Sequence, residues 1–471
     1  VRFSHRRQGY GAHRPSCAES LFSKYSSSSE PSVFLGSPSA SHDKGVEMRP
    51  TRRTILSLLA VPPLAAAATS CSSGESGGSG SITLRISTFS EWGYEPLLEE
   101  YQELNPDIVI EHNRFATSDE AKEQFQTSLG AGSGLADIVG VEGGWMPQVM
   151  QYPENFVDIS APEVEGRWDD WNVARATAED GRLIGYATDI GPQCIAYRRD
   201  LFEAAGLPSD REEVVELFGG ENATWESFYA VGETFLAAET GPAFFDASAS
   251  IATSWADQFE AMWEDPDTGE IIALANPDLR NIFDVVTSHD DQSAHLARWS
   301  EDWTSAFQND GFAVMTAPSW MLGVIEGNAA GVTGWDIAGV FPGGGVNSGG
   351  SYLTVPTQSE HPEEAQALAE WLTAPEQQIK AFRASGNFPS QIEAQESPEI
   401  QEITDPFFND APVGQILSEV ASQIEIVPHM GDNHFAITGA FNSAINRVSV
   451  DRTHSPEESW SMFEDEIKGL G

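Results

Sequence analysis

The sequence predicts an α/β fold. From residue 82 onward, short apolar runs that alternate at period two give way to longer stretches with apolar residues three and four apart, and Gly, Pro and Asn punctuate the junctions. Strands that alternate with helices in this way build parallel βαβ units. With 471 residues, 40% hydrophobic and 10% aromatic, the chain is long enough for two or three domain-sized units with sizeable cores.

In chain order, residues 1–47 are Ser-rich, of mixed charge and without sustained apolar periodicity, as expected of a disordered stretch or of an upstream extension with a mis-assigned start. Met48 opens a secretory signal over residues 48–70. Arg49, Arg52 and Arg53 form its basic segment, residues 55–68 its apolar segment, and Ala68, Thr69 and Ser70 place small residues before Cys71. The apolar run is too short to span a bilayer as a mature helix. Thr51-Arg52-Arg53-Thr54 fits a twin-arginine export signal as well as the general one. A Gly/Ser tether follows over residues 72–81, with a mean reach of roughly 17 Å.

The body then alternates. Ile82, Leu84 and Ile86 read as a strand, and Pro96 opens a helix with Leu97, Leu98, Tyr101 and Leu104 on one face. Ile108 and Ile110 start a second strand, residues 120–129 a helix, and residues 136–141 a buried strand that opens into Glu142-Gly143-Gly144-Trp145. Ligands of such a sheet lie beyond the carboxyl ends of its strands, where Trp92 and Trp145 both stand. Residues 183–187 and 194–197 are two apolar runs broken by Asp189-Ile190-Gly191-Pro192; on local grounds this is a bulged strand or the end of one strand and the start of another. Helices are predicted over 204–218, 225–238, 250–263 and 282–307, strands over 311–315, 335–341 and 351–355, and a helix over 362–374. Further helices fall within 413–424, 441–448 and 456–467. The glycine-rich residues 343–350, GGGVNSGG, lack a Gly-Lys-Ser/Thr ending and precede a strand, so they do not read as a phosphate loop.

The net charge of −47 excludes nucleic acid as a partner, because a phosphate backbone needs Lys and Arg to displace its counterions. It also disfavours adsorption to anionic lipid. The three cysteines fall in three contexts, so no internal disulfide is expected once Cys71 and everything before it are set aside, and Cys194 reads as a small buried hydrophobe.

Residues 181–208, GRLIGYATDIGPQCIAYRRDLFEAAGLP, followed by Thr224-Trp225-Glu226-Ser227-Phe228, resemble the signature of the bacterial extracellular solute-binding proteins that feed sugar ABC importers. Gly350-Ser351, Thr373-Ala374-Pro375-Glu376 and Gly386-Asn387-Phe388-Pro389 match the later punctuation of that family. The resemblance covers nearly all of the chain from residue 82. It implies a two-lobe periplasmic-binding-protein-like fold of type II, with residues 82–188 and 351–405 in one lobe and 189–350 and 406–471 in the other. Residues 187–192 become a hinge beside the cleft, and the strand after the glycine-rich loop becomes the second crossing. Small residues before a cysteine resemble a lipoprotein signal, which implies acylation of Cys71 and an extracytoplasmic body anchored to the cell membrane through that lipid alone. The implied partners are a di- or oligosaccharide and ABC permease subunits, with the body a monomer. Asp-Ile-Gly-Pro and Ala411-Pro412-Val413-Gly414 are similar to actinobacterial members assigned to disaccharides or short oligosaccharides such as cellobiose.

A sugar presents C–H faces and a rim of hydroxyls, so its site needs aromatic platforms and polar rim groups. Trp92, Trp145, Trp255 and Trp320 occupy loop or helix-start positions, whereas Trp225, Trp335 and Trp371 read as packing. Glu142 at a strand end, Asp189 at the hinge and Ser351 at the second crossing are the polar candidates. A secreted glycoside hydrolase would also show carboxylates beside aromatics. No motif singles out a pair of them, His-Glu-x-x-His does not occur, and the Gly-x-Ser-x-Gly match at residues 74–78 falls within the Gly/Ser tether. The His289/His295 and His429/His434 pairs lack metal-like spacing with cysteines. The expectation is therefore a receptor and not an enzyme, without metal or cofactor; a same-fold receptor for a polyamine stays open.

Overall fold

The alternating apolar runs resolve into ten strands in two sheets. In the computed structural model of the protein, which describes residues 81–470, they are β1 (Ile82–Phe89), β2 (Ile108–Phe115), β3 (Ile138–Glu142), β4 (Gly185–Ile190), β5 (Gln193–Arg198), β6 (Ala243–Phe245), β7 (Phe312–Pro318), β8 (Trp335–Ala338), β9 (Ser351–Thr354) and β10 (Phe388–Pro389). The upstream extension, the export signal, Cys71 and the tether up to residue 80 lie outside the described residues.

The first sheet has the order β10-β4-β9-β3-β1-β2 and the second β6-β7-β5-β8. β1 pairs in parallel with β2 and β3, as the βαβ pattern requires, while β9 enters antiparallel between β3 and β4. The first lobe closes its core with Leu84, Ile86, Ile138, Val141, Tyr186 and Leu353 from the sheet. Leu97, Leu98 and Tyr101 of the Glu95–Leu104 helix pack onto them, each on the apolar stripe that sequence spacing marks. The second sheet is buried on both faces. Ile195 and Tyr197 of β5 meet Phe202 and Phe235 on one side, and Cys194 and Ala196 meet a cluster with Met321, Ile325 and Trp335 on the other. A strand covered on both faces has no polar side, which is why β5 reads as a continuous apolar run.

Residues 181–208 hold both of the features left open by their sequence. The β4–β9 register shifts between Ala187 and Asp189, a bulge, and at Gly191-Pro192 the chain leaves the first sheet for the second. Residues 339–350 carry it back, from β8 to β9. These two crossings lie against each other. The Gly191 N–H donates to Asn347 Oδ1 at 2.8 Å, the Ser348 N–H to the Gly191 carbonyl at 2.8 Å and the Gln193 N–H to the Val346 carbonyl at 3.1 Å. A Cβ at Gly191 would stand 1.9 Å from the Ser348 carbonyl oxygen, so the approach exists only because residue 191 has no side chain.

Several helices differ from their predicted extents. The helix expected over 282–307 is two, Pro277–Ser288 and Glu301–Ala306, because Ser300 caps a new start by accepting the Trp303 N–H. The loop between them carries His295 and Trp299 at positive φ. The segment expected over 204–218 is likewise two helices, Arg199–Ala204 and Arg211–Phe218, parted at Gly206-Leu207-Pro208. The helix expected over 250–263 runs Ser248–Ala256. Among the described residues no helix is long and apolar enough to cross a membrane.

Candidate functional site

Three of the polar candidates stand side by side where the first sheet meets the crossings. Ser351 pairs with Glu142 on one side and Asp189 on the other, so β3, β9 and β4 present two carboxylates flanking one hydroxyl. Asp189 is buried, its Oδ1 accepts the Thr188 hydroxyl at 2.7 Å, and burial pushes its carboxyl up to about 6 against the lowering effect of that bond and those of Ser351. Burial also raises Glu142, which accepts a short hydrogen bond from the Ser118 hydroxyl. Lys122, one turn along the Ser118–Ala131 helix, is pulled down to about 8 by burial and lies over the Phe435 ring at 3.0 Å. Phe435 belongs to the His434–Ser449 helix, which packs into the second lobe, so the lobes touch there.

The aromatic candidates divide. Trp320 stands just before the Met321–Asn328 helix, is part-buried, and donates its Nε1 to the Ser348 carbonyl of the second crossing at 3.0 Å. Trp92 is buried under Phe89 and Tyr94 in the first lobe's core, its ring edge over Gly140 of β3. Trp145 is 1% exposed, packs on Phe125 and donates to the Ser118 hydroxyl at 3.1 Å, so it supports Glu142 from behind. Trp255 lies late in its helix, not at a start, stacks on Trp225 at 5.4 Å and lines a groove of about 760 Å³ together with Tyr229, His289 and Gly343 of the second crossing. The structure thus brings Trp320 to the crossings with Asp189, Ser351 and Glu142, buries Trp92 and Trp145 in the first lobe's core, and leaves Trp255 part-buried on the wall of its groove. Trp225 and Trp335 are buried, as their motifs predicted.

Two groups of residues escaped sequence reasoning. Trp299, 57% exposed, stacks on Trp320 with ring centroids 6.1 Å apart and planes 17° apart, and together they form an indole shelf next to the crossing. It was hidden inside a segment read as helix. The second group surrounds Arg175, at the end of the Asp170–Arg175 helix of the first lobe. Its guanidinium makes no ion pair among the described residues and lies 5.3 Å from the Trp171 ring. From the second lobe, Asp257 and His434 both feel its charge: burial raises Asp257 to about 7 while Arg175 draws it down, and burial lowers His434 to about 4 with Arg175 adding to the effect. The Nδ1 of His434 and the Nδ2 of Asn172 are buried without partners among the described residues. Unpartnered buried polar atoms are costly, and a cleft ligand with hydroxyls can satisfy them. Nothing short of tertiary contact links residues 172, 175, 257 and 434, so no sequence signal marked them.

Chemically, the arrangement offers an aromatic shelf for an apolar ring face and donors and acceptors from two lobes for hydroxyl groups. Among the described residues no His, Cys, Asp and Glu cluster has the arrangement to hold a metal ion. Two lobes joined by paired crossings, with polar and aromatic groups gathered at the junction, define a solute-binding receptor of the bilobal type.

Comparison with known proteins agrees. The family of bacterial extracellular solute-binding proteins matches residues 97–407, and the chain belongs to it. A crystal structure described as an extracellular solute-binding protein of family 1 superposes with a TM-score of 0.74 at 42% identity, covering 82% of this chain and 99% of that one. The binding protein of an ABC transporter from B. animalis subsp. lactis Bl-04, solved with β-1,6-galactobiose, gives a TM-score of 0.68 at 16% identity over 82% and 96% of the two chains, which shows the shared fold. In sequence, an arabinooligosaccharide-binding protein of Halalkalibacterium halodurans is 23% identical over 397 residues, 79% of this chain and 84% of that protein.

Proposed function

We propose that the protein captures a di- or oligosaccharide outside the cytoplasm and delivers it to an ABC importer. The observation that carries this is the shelf of Trp299 and Trp320 set against the Glu142–Ser351–Asp189 row at the crossings, since stacked indoles beside hydroxyl-matching carboxylates suit a sugar ring better than an ion or a peptide. The arabinooligosaccharide-binding and galactobiose-bound relatives support a carbohydrate as the solute. Ligand contacts to both lobes favour the closed form, because a ligand shifts an equilibrium only by its differential affinity for the two states. The lobes divide as 82–188 with 351–405 and 189–350 with 406–471. Trp92 and Trp145 act behind the contact surface, and Trp255 lines the groove beside Trp225. No catalysis accompanies binding, export follows the signal before Cys71, acylation of Cys71 holds a monomeric body at the membrane, and permease subunits receive the closed form.

The test is thermal unfolding against a panel of arabinooligosaccharides, cellobiose, maltose, β-1,6-galactobiose and spermidine, each with an assay for products. A ligand at about 100 times its dissociation constant adds about 2.7 kcal/mol of stability, a shift of a few degrees. A shift with one sugar and no product supports the proposal. Product formation would put a glycoside hydrolase first, and a shift with spermidine alone would replace the sugar with a polyamine.

A further inference from the structure

Trp299 is held in a backbone conformation that a tryptophan ordinarily avoids. Its φ is +73°, within a turn closed by the Ser300 N–H on the Ala297 carbonyl at 3.2 Å. In such a turn the third residue takes positive φ, and glycine is what usually fills it. A side chain at this position strains the backbone, and strain of this kind persists only where the surroundings over-determine it.

The surroundings here do so from both sides. Arg298, just before Trp299, forms a two-pronged pair with Asp246, its Nε donating to Oδ2 at 2.7 Å and its Nη2 to Oδ1 at 3.2 Å. Nη2 also donates to the Thr316 carbonyl of β7 at 3.0 Å. Asp246 is wholly buried and accepts the Trp303 Nε1 as well, at 3.0 Å. Just after Trp299, Ser300 caps the Glu301–Ala306 helix. The turn is thus fastened to the second sheet and to a helix, yet the indole it presents is 57% exposed and, among the aromatic rings of the described residues, touches only Trp303 and Trp320. A buried ion pair is costly to assemble and makes little sense as a support for a solvated loop, but it fixes geometry well.

The geometry points to Trp299 as a specificity-determining platform for the C–H face of a sugar ring, with Asp246 and Arg298 as the positioning pair that holds its strained turn in place. This rests on the carbohydrate reading above. It adds that the shelf is pre-formed before any sugar arrives, so that ordering of the loop is not left for the ligand to drive.

The experiment compares Trp299→Gly, Trp299→Ala, Trp299→Phe and Asp246→Asn with the unaltered protein, using calorimetric titration of the sugar panel and ligand-free thermal melts. Trp299→Gly and Trp299→Ala each weaken the sugar found for the wild type by about 30-fold or more, while Trp299→Phe stays within roughly fivefold. Without ligand, Trp299→Gly melts above Trp299→Ala by a degree or two, the reverse of the usual order for these residues, because only glycine relaxes the turn. Asp246→Asn weakens sugar binding about fivefold to tenfold alone and adds nothing in the Trp299→Gly background, since its effect passes through the indole. Unchanged affinity in Trp299→Gly, Trp299→Ala melting at or above Trp299→Gly, or multiplied losses in the double variant would each overturn the inference. If Asp246→Asn does not fold, the Gly and Ala variants still decide it. A wild type that binds no sugar of the panel overturns the carbohydrate reading, whereas a binding wild type with a silent Trp299 overturns only the platform.

Discussion

Among single residues, burial and partner decide role more than residue type does. Trp320 and Trp335 both belong to the second sheet's strands or their ends, Trp335 opening β8 and Trp320 standing two residues past β7. Trp335 is 1% exposed and packs against Phe307 and Phe312, whereas Trp320 reaches the crossing and stacks under the exposed Trp299. Trp320→Ala is therefore expected to weaken sugar binding by tenfold or more with a modest change in stability. Trp335→Ala is expected to cost about 3–5 kcal/mol of stability and leave the affinity of the folded fraction nearly intact. Isothermal titration beside denaturant unfolding reads both. Equal affinity losses in folded variants, or the reverse order, would remove Trp320 from the site. Asp189 shows the same principle in a carboxylate. Its type alone suggests a solvated surface charge in so acidic a chain, but burial in β4 takes it out of water and pushes its carboxyl up to about 6 even though the Thr188 hydroxyl favours the charged form.

The crossings are the elements on which the fold and the site depend together. Two segments, distant in sequence, are stitched by the Gly191–Asn347, Ser348–Gly191 and Gln193–Val346 hydrogen bonds. Gly191→Ala places a methyl group 1.9 Å from a carbonyl oxygen, so the crossings must separate. The expected outcome is a loss of about 2 kcal/mol or more of stability together with a weakened sugar affinity, because Ser348 also carries the Trp320 indole. Gly344→Ala, where a Cβ meets nothing within 4 Å but the φ of +104° disfavours it, tests the same loop away from the seam and should leave affinity unchanged while lowering stability. Thermal melts with and without sugar distinguish the two. The repeating strand and helix pattern was legible in sequence because period-two and 3.6-residue spacing survive in β1, in β3 and in the Glu95–Leu104 helix. The pause at Gly191-Pro192 was legible as punctuation. What it separates, a bulge in one sheet and an exit to another, depends on pairing with β9 more than 150 residues later. Trp299 was illegible for a sharper reason: its turn breaks the rule that puts glycine at positive φ, and the segment around it carries helical spacing on both sides. The Arg175, Asp257 and His434 group joins three remote segments and leaves no local trace.

For the whole molecule, the buried ionisable groups pull stability in opposite directions with pH. Asp189 at about 6 and Asp257 at about 7 hold their protons more tightly in the folded state than the ordinary value of 3.8. The folded state therefore binds the extra protons, and this contribution falls away as pH rises from about 4 to 7. His434 acts the other way. Its folded value of about 4 lies below 6.5, so the stability it provides is complete above 6.5 and is lost as pH falls toward 4. The net charge of −47 adds self-repulsion on the alkaline side. Two carboxyls outweigh one imidazole, so stability from these groups should fall as pH rises from about 4 to 6 and level off near 7, and Asp257→Asn should raise the melting temperature at pH 8 by roughly 2–4 °C while changing little at pH 4.5. A flat profile, or a gain confined to acid, would count against the buried carboxylate. Cys194 completes the picture at this scale. It is fully buried in β5, its thiol is pushed up to about 12 by that burial, and it is the one thiol among the described residues. Such a thiol stays inert toward alkylating dyes, so an exposed position beside the cleft such as Ala174, once changed to cysteine, offers a labelling handle without interference from the body. The receptor core is thereby suited to conversion into a fluorescent reporter of its own solute.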